Sequence, residues 1–332
     1  MDSRSLIDEA LEVSVVGSFS RVGFQVRQRV FGWAPPSDGC LVGRTVLVTG
    51  PTSGLGRATA AAVAALGARV ILVGRSEERL AGVRDELAAE HGEDRFPIVI
   101  ADMGSLVSVR AAAARILETE SRLDVLIDNA GAIYPERILG PDGIEATLAI
   151  LVVGPFALIG RLLPLLRATP DARVVCVTSG GQYTQAVDPD DLQWETGAYS
   201  GARAYAKAKR VQVALVREWA RRLAGTGVTV NAMHPGWADT PGVAASLPGF
   251  YEVMGPLLRT PDEGADTIVW LATAPEATAS SGKLFLDRRP RPFDRVPVTR
   301  LSAADRRRLW DLVVGLSGSP DPAPPGFETT SP

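Results

Sequence analysis

One stretch near residue 50 constrains the fold of this chain more than any other. Thr45 to Val48 is a short β-branched and aliphatic run typical of a buried strand, and Ala58 to Leu66 is an alanine-rich helix. Between them Gly50, Gly54 and Gly56 form a turn with the spacing GxxxGxG. Strand, glycine turn and helix together predict the first βα unit of a dinucleotide-binding fold, in which phosphates lie on the amides at the positive end of the helix.

Each glycine of this turn has a different role in the backbone geometry. Gly50 can adopt the backbone angles of a sharp turn, Gly54 lets the main chain approach a pyrophosphate, and Gly56 lets the helix pack close to the strand. An ordinary tight loop is the alternative, but a position between a clear strand and a clear helix favours phosphate binding. The remaining cofactor-binding residues predicted in this segment are Thr49, Ser53 and Leu55.

Length, charge and cysteine content exclude several classes of protein. A chain of 332 residues can form one large domain with a sizeable core, and its net charge of −3, without a basic stripe, argues against nucleic-acid binding. Cys40 and Cys176 are the only cysteines and do not make a disulfide framework, which favours a reducing, cytoplasmic compartment. His91 and His234 have no partners at metal-ligand spacing, so we predict no metal site.

Short apolar strands alternate with helices along most of the chain. The predicted strands are residues 45–48, 69–73, 98–101, 125–127, 174–177, 228–232 and 283–286, and the main predicted helices are 58–66, 77–90, 106–118, 144–166, 205–223 and 262–272. This alternation predicts an α/β fold with one doubly wound, mostly parallel sheet and helices on both faces, a Rossmann fold. We expect it to occupy residues 41–290 as a single domain.

Extensions flank this domain on both sides. Residues 1–40 carry apolar residues at helical spacing, which predicts an amphipathic segment that packs on the domain surface or makes peripheral membrane contact. These apolar residues are Leu6, Ile7, Leu11, Val15, Phe19 and Val22. Residues 291–332 contain a predicted short helix at 302–314 and a Pro-rich tail, from residue 317, expected to be disordered. The apolar run 148–166 is interrupted by two prolines and an arginine, which favours a buried helix over a membrane span.

Residues at the carboxyl ends of the strands are candidates for cofactor binding. After the second strand Arg75 and Ser76 stand where an acid would bind an NAD ribose, and a guanidinium there favours the 2′-phosphate of NADP. After the third strand come Asp102 and Met103; Asp102 either accepts a hydrogen bond from the adenine amino group or caps the next helix. Asn129, Ala130 and Gly131 follow the fourth strand, where small residues let the backbone run beside the cofactor.

A second group of residues predicts acid-base chemistry. Tyr205 and Lys209 are four positions apart on a predicted helix and therefore share a face. A lysine ammonium near a phenol lowers the phenol pKa, as a general acid and base for a carbonyl or an alcohol requires. Ser179, at the end of the fifth predicted strand, can donate a hydrogen bond to the same substrate oxygen.

These motifs, with Pro235-Gly236 after the sixth strand, occur in the order found in the short-chain dehydrogenase/reductase superfamily, which the chain resembles over about three quarters of its length. Within it, segments around Asp191, His234 to Val243 and Asp287-Arg288 resemble the subgroup of dehydrogenase/reductase SDR family member twelve. The resemblance implies an NADP(H)-dependent oxidoreductase acting on lipophilic alcohols and carbonyls. It implies Tyr205 as proton donor and acceptor, Lys209 on the nicotinamide ribose, Ser179 on the substrate oxygen and Thr240 at the nicotinamide end.

The chain also departs from the family pattern. Leu151 stands where the family usually has an Asn that supports a water path for reprotonating the tyrosine, and Asp128 and Ala208 replace the usual Asn and Ser. Leu151 supports an alternative function, a non-catalytic NADP(H)-binding sensor or partner-binding module on the same fold. The segment 237–258 is apolar and predicts either a lid over an apolar substrate or a packing surface. The two long apolar helices, 144–166 and 205–223, predict a homodimer seam.

Overall fold

The computed structural model describes residues 2–246 and 248–321, and in them eight strands form one sheet. The strands are β1 Thr45–Thr49, β2 Arg69–Gly74, β3 Ile98–Ile100, β4 Val125–Asp128, β5 Arg173–Val177, β6 Thr229–Met233, β7 Leu284–Leu286 and β8 Arg289–Arg291. Their order is β3-β2-β1-β4-β5-β6-β7-β8, and every neighbouring pair is parallel except β7 with β8. The predicted doubly wound, mostly parallel sheet is confirmed, and its topological switch point lies between β1 and β4.

Helices cover both faces of this sheet. In chain order they are α1 Ser3–Val13, α2 Val15–Phe19, α3 Arg21–Phe31, α4 Gly54–Ala65, α5 Glu77–His91, α6 Leu106–Thr119, α7 Ala146–Leu148, α8 Gly154–Ala168, α9 Gly201–Arg222, α10 Pro241–Ser246, α11 Pro248–Met254, α12 Pro261–Thr273 and α13 Ala303–Ser317. Successive side chains of β1 point to opposite faces of the sheet. Leu47 packs in the core formed with α6, α8 and α9, whereas Val46 and Val48 pack in the core formed with α4, α5 and α12.

The apolar run that passes the length test for a membrane span is part of the core. Within the described residues, the helix Ala146–Ala168 is the one long and apolar enough to cross a membrane, and 83% of its apolar window is buried inside the fold. It is not regular, because a π-helical turn at Ala149–Val153 joins α7 to α8. Its burial fits the predicted core helix.

Strand β8 was missed from the sequence because it is short and contains Pro290 between two arginines. It pairs antiparallel with β7 through a tight turn in which Asp287 and Arg288 both have positive φ, 56° and 57°. Side-chain contacts add to this short backbone pairing, because Arg289 and Arg291 both form ion pairs with Asp8 of the N-terminal extension. The β7–β8 hairpin therefore joins the sheet to that extension.

The N-terminal extension packs on the domain, but of the six residues of the predicted apolar stripe Phe19 alone is buried. Ser14 and Ser20 break it into α1, α2 and α3, and each serine side chain accepts a hydrogen bond from the first turn of the helix that follows. These breaks shift the helical phase, so Leu6, Val15 and Val22 remain 53%, 52% and 53% exposed. The residues that face the domain are Asp8, Ser18, Phe19, Gly23, Phe24 and Arg27.

The C-terminal extension covers the two helices on which a homodimer seam was predicted. Helix α13 places Trp310, which is fully buried, against Phe156 of α8 and Trp219 of α9, with ring centroids 4.8 Å apart in both pairs. Nearly all apolar side chains of α8 and α9 are thereby buried within one chain. The homodimer remains a prediction, but these helices offer no free apolar seam for it in the described residues.

The described chain stays ordered beyond the end of α13, contrary to the predicted disorder from residue 317. Ser317 and Ser319 are buried, and Asp321 pairs with Arg222 at 3.2 Å. The ordering comes from these contacts with α9, which a composition-based prediction does not register. The rest of the predicted Pro-rich tail, residues 322–332, lies outside the described residues.

Candidate active site

A cavity of about 410 Å³ opens at the carboxyl ends of the strands. It brings together residues predicted separately from seven parts of the sequence. The predicted residues that line it are Gly50, Ser53, Gly54, Leu55, Gly56, Arg75, Ser76, Asp102, Met103, Asn129, Ala130, Gly131, Ser179, Tyr205, Lys209, Pro235, Gly236 and Thr240. Thr49 is the exception among the predicted site residues, because its side chain lies behind the cavity wall, where its hydroxyl accepts hydrogen bonds from the amides of Asn129 and Ala130 at 2.9 Å each.

The glycine turn has the geometry predicted for it. Gly50 and Gly54 have positive φ of 66° and 53°, and a Cβ added to Gly56 would lie 2.1 Å from the carbonyl oxygen of Gly50. Only glycine fits this last position, because real Cβ atoms do not approach so closely. The N-cap Ser53 makes no side-chain cap hydrogen bond, and Gly54, Leu55 and Gly56 in the first turn of α4 line the cavity. The site is therefore a cradle for a phosphate, with the positive end of a helix behind it.

The far end of the cavity is basic. Arg75 follows β2 and is exposed, and Ser76 caps α5 by accepting the Arg79 amide at 3.3 Å. Arg79 also lines the cavity and was missed from the sequence, although its place in the first turn of α5, after Arg75 and Ser76, was the available signal. Asp102 is not a helix cap, since Ser105 caps α6 and the Asp102 carboxylate instead accepts the Gly104 amide at 2.8 Å.

The candidate catalytic residues lie at the opposite end of the cavity. Ser179 follows β5 and hydrogen-bonds the Tyr205 side chain, and Lys209 lies one turn further along α9 with its ammonium 5.8 Å from the Tyr205 ring centroid. The Lys209 ammonium donates to the Val177 carbonyl at 2.7 Å and to Gln212 at 3.3 Å. The shared helix face predicted for Tyr205 and Lys209 is thus present in the structure.

The structure does not show the predicted lowering of the Tyr205 pKa by Lys209. Burial raises the pKa of Tyr205 to about 12, and the hydrogen bond with Ser179 lowers it only in part. Burial likewise lowers the pKa of Lys209 to about 8. The expectation of a lowered Tyr205 pKa was wrong because it counted the neighbouring charge and not the desolvation of a buried phenol. The phenol is therefore protonated at neutral pH, which is the state that donates a proton, and its raised pKa makes it a weaker acid than the sequence predicts.

The three residues that depart from the family pattern, Leu151, Asp128 and Ala208, are all buried. Leu151 is 1% exposed and lies in the π-helical turn, with its Cδ2 3.0 Å from the place of a Cβ on Gly131. Asp128 accepts a hydrogen bond from the Gln212 amide at 2.7 Å, and Gln212 in turn accepts one from Lys209. Burial raises the pKa of Asp128 to about 6, while the Lys209 charge opposes that rise. A buried carboxylate therefore lies two hydrogen bonds from the candidate catalytic lysine.

The segment predicted as a lid consists of the loop after β6 and the helices α10 and α11. Trp237 packs edge-to-face on Phe250 of α11 with ring centroids 5.3 Å apart, and Val253 is 75% exposed. Thr240 contacts the glycine turn, because its Cγ2 lies 3.1 Å from the place of a Cβ on Gly54. Thr240 and Val243 of this segment line the cavity. Leu247, which also belongs to the segment, lies outside the described residues.

This fold and this arrangement of residues define a class of protein. Residues 44–248 match the short chain dehydrogenase family, and the chain belongs to this family of oxidoreductases. The chain is 40% identical over 278 residues to the Bos taurus protein named dehydrogenase/reductase SDR family member 12. The alignment covers 83% of this chain and 86% of that protein. It is 34% identical over 283 residues to human retinol dehydrogenase 13, with 83% and 86% of the two chains covered.

A solved structure agrees with this assignment. The Pseudomonas aeruginosa RhlG/NADP active-site complex matches with a TM-score of 0.62 and 26% identity over 76% of this chain and 97% of that one. The family match and the similarity to dehydrogenase/reductase SDR family member 12 confirm the family and the subgroup inferred from the sequence motifs.

Proposed function

We propose that the protein transfers a hydride between NADP(H) and a lipophilic carbonyl or alcohol, with Tyr205 as the general acid and base. The observation that carries the proposal is the convergence of Ser179, Tyr205 and Lys209 at one end of a cavity whose other end holds the glycine turn and Arg75. The names of a retinol dehydrogenase relative and of a neighbour complexed with NADP support the same reading.

The residues of the cavity fit this cofactor. The cradle at Gly56 and the free amides of α4 suit a pyrophosphate, and Arg75 and Arg79 suit a 2′-phosphate, because a guanidinium fork binds phosphate oxygens in pairs. NADPH, when bound, supplies the hydride. Lys209 lies within the same cavity wall and is the candidate ligand of the nicotinamide ribose.

The chain itself orients the substrate and moves the proton. The Ser179 hydroxyl and the Tyr205 phenol, which are hydrogen-bonded to each other, converge where a carbonyl oxygen would be received. Tyr205 then donates its proton to that oxygen in reduction, and its phenolate takes a proton from the alcohol in oxidation. Val243 of the lid segment lines the cavity and favours an apolar substrate.

Two variants test the two halves of this proposal. Arg75→Ala is expected to weaken NADPH binding while leaving NADH binding unchanged in a fluorescence titration, and Arg84→Ala, an exposed arginine of α5 outside the cavity, is the matched control. Equal affinity of the wild-type protein for both nucleotides would contradict the NADP assignment.

Tyr205→Phe is expected to abolish reduction of decanal, acetophenone and retinaldehyde while leaving NADPH binding intact. Tyr199→Phe is the matched control, because its phenol is hydrogen-bonded to Glu145 at 3.0 Å outside the cavity. Turnover retained in Tyr205→Phe would refute the assigned chemistry.

The buried Leu151 favours a second candidate, a non-catalytic NADP(H)-binding sensor or partner-binding module. An apolar side chain at this place cannot carry the proton path that the resemblance implies. This candidate predicts tight NADPH binding together with no turnover on the whole carbonyl panel. The complete set of Ser179, Tyr205 and Lys209 makes the enzyme the better supported function.

We further propose a cytoplasmic protein that makes peripheral membrane contact through the N-terminal extension. The support is the exposure of Leu6, Val13, Val15, Val16 and Val22 on that extension, of which Val13 is 87% exposed. Flotation with phosphatidylcholine vesicles tests this contact. Binding that is lost in the double variant Val13→Asp, Val16→Asp is the expected result, and absence of binding by the wild-type protein contradicts it.

A further inference from the structure

Phe19, the last residue of α2, reaches into the domain behind the candidate catalytic residues. Its side chain is buried, and its ring packs edge-to-face on His234 and Trp237 with centroids 4.8 Å and 5.9 Å away. His234 and Trp237 flank Pro235-Gly236, which lines the cavity. A residue of the N-terminal extension therefore supports the loop that follows β6.

The same ring closes over the turn that carries Ser179. A Cβ added to Gly180 would lie 2.6 Å from Cε2 of Phe19, so the ring fills the space beside this glycine. The Ser179 hydroxyl accepts the Gly181 amide at 3.2 Å and is hydrogen-bonded to Tyr205. Displacement of Gly180 would thus change the direction of the Ser179 side chain.

Backbone contacts join the extension to the loop after β6 as well. The Phe19 carbonyl accepts hydrogen bonds from the Trp237 amide at 2.8 Å and from Nε of Arg259 at 3.0 Å. The Arg259 amide in turn donates to the Trp237 carbonyl at 2.7 Å. A Cβ on Gly236 would lie 2.5 Å from the Phe19 oxygen, so this contact requires glycine there.

Buried charges hold the extension in this position. Arg27 of α3 donates to Asp8 of α1 and to Asp287 in the β7–β8 turn, at 2.7 Å in both cases. Arg259 also pairs with Asp287, at 2.6 Å, and donates to the Ser18 carbonyl at 2.9 Å. The segment that presents Phe19 is therefore fixed by side chains of α1, α3 and the domain and by the backbone of α2.

We propose that Phe19 is a positioning residue for the catalytic centre: it holds the Ser179–Gly180 turn and the Pro235–Trp237 loop at the geometry that carbonyl reduction needs. The N-terminal extension is then part of the active-site architecture as well as a surface attachment. The expected effect of Phe19 on turnover rests on the proposed function, whereas its expected effect on the order of the two loops does not.

The test uses full-length Phe19→Ala and Phe19→Leu. The control is Phe96→Ala, which removes a similarly buried phenylalanine at the amino end of β3, whereas the cavity lies at the carboxyl ends of the strands. Thermal unfolding measures the stability that each variant loses. Hydrogen exchange followed by mass spectrometry measures the opening of segments 178–184 and 235–239, and steady-state kinetics with NADPH and decanal measures turnover.

We expect Phe19→Ala to lower kcat about tenfold, with NADPH affinity unchanged, because small misplacements of catalytic groups have large effects on rate. Phe19→Leu should recover most of the loss, and both loop segments should exchange faster in Phe19→Ala and at the wild-type rate in Phe96→Ala. Equal loop exchange in wild type and Phe19→Ala would overturn the proposal, as would an unchanged kcat alongside a loss of stability matching that of Phe96→Ala. If the wild-type protein reduces no carbonyl, the proposed function fails, and the exchange data still decide the role of Phe19.

Discussion

Asp287 is the residue whose replacement tests the attachment of the N-terminal extension most sharply. Its carboxylate is fully buried and accepts hydrogen bonds from Arg27 at 2.7 Å and from Arg259 at 2.6 and 3.0 Å. Asp287→Asn keeps the shape of the side chain, and asparagine tolerates the positive φ of 56° at this position. The change therefore removes the negative charge and leaves two buried guanidinium groups without their shared partner.

The expected cost follows from this geometry. Loss of one partner from a buried ion pair costs about 3–5 kcal/mol, and the retained shape places this variant near the lower end, about 3 kcal/mol. For a chain of this size that corresponds to a fall in Tm of roughly 4 °C. The control is Glu86→Gln, which breaks the ion pair with Arg57; both side chains there are more than half exposed, so the expected loss is under about 1 kcal/mol.

The pH dependence provides a second check. Burial alone would raise the pKa of Asp287, but Arg259 and Arg27 outweigh it and hold the pKa below its usual value of 3.8. A carboxylate with a lowered pKa in the folded state contributes stability that is complete above the unfolded pKa and is lost as pH falls through the folded pKa. Urea unfolding should show a constant difference between wild type and Asp287→Asn from pH 6 to 8, narrowing only below about pH 4. A difference no larger than that of Glu86→Gln at pH 7 would refute the reasoning.

Three further predictions concern Leu151, the pairing of Lys209 with Asp128, and the C-terminal helix. Leu151→Asn should raise kcat for decanal reduction by about tenfold or more, because it restores a polar group for the proton path, and an unchanged kcat would argue for the non-catalytic alternative. The reductive kcat should fall as pH rises through about 8, the pKa of Lys209, because an uncharged lysine has no proton to return to Tyr205. Asp128→Asn should move this fall to lower pH because the carboxylate favours the charged lysine, and an unmoved profile would exclude that coupling. Trp310→Ala should lower the free energy of unfolding by about 3–5 kcal/mol in urea, since it empties the contact of α13 with α8 and α9, and a loss under about 1 kcal/mol would show that α13 is not held there.

The features that could be predicted from sequence are local ones. The glycine turn depends on residues within one βα unit, and its positive φ angles and tight contact at Gly56 are as expected. Tyr205 and Lys209 lie on one helix, so their spacing alone places both at the cavity. The alternation of strands and helices allows few topologies once the connections are right-handed, which is why the parallel sheet was predictable.

The features that could not be predicted depend on long-range contacts. Arg259 and Phe19 are 240 positions apart in sequence, and no local pattern indicates that the Phe19 carbonyl accepts a hydrogen bond from that arginine. The raised pKa of Tyr205 follows from burial, which exists only in the assembled fold. The phase of the N-terminal helices changed because Ser14 and Ser20 cap new helices where a single helix was assumed.

The most direct measurement of the central claim is deuterium transfer from NADPH carrying deuterium at the nicotinamide C4. The purified protein is incubated with this cofactor and decanal, acetophenone or retinaldehyde, and the products are analysed by mass spectrometry. The proposed chemistry predicts alcohol with one deuterium on the former carbonyl carbon for the wild-type protein and no such product for Tyr205→Phe. Tight binding of the cofactor by the wild-type protein without deuterium in any product would contradict the enzyme assignment and favour the binding module.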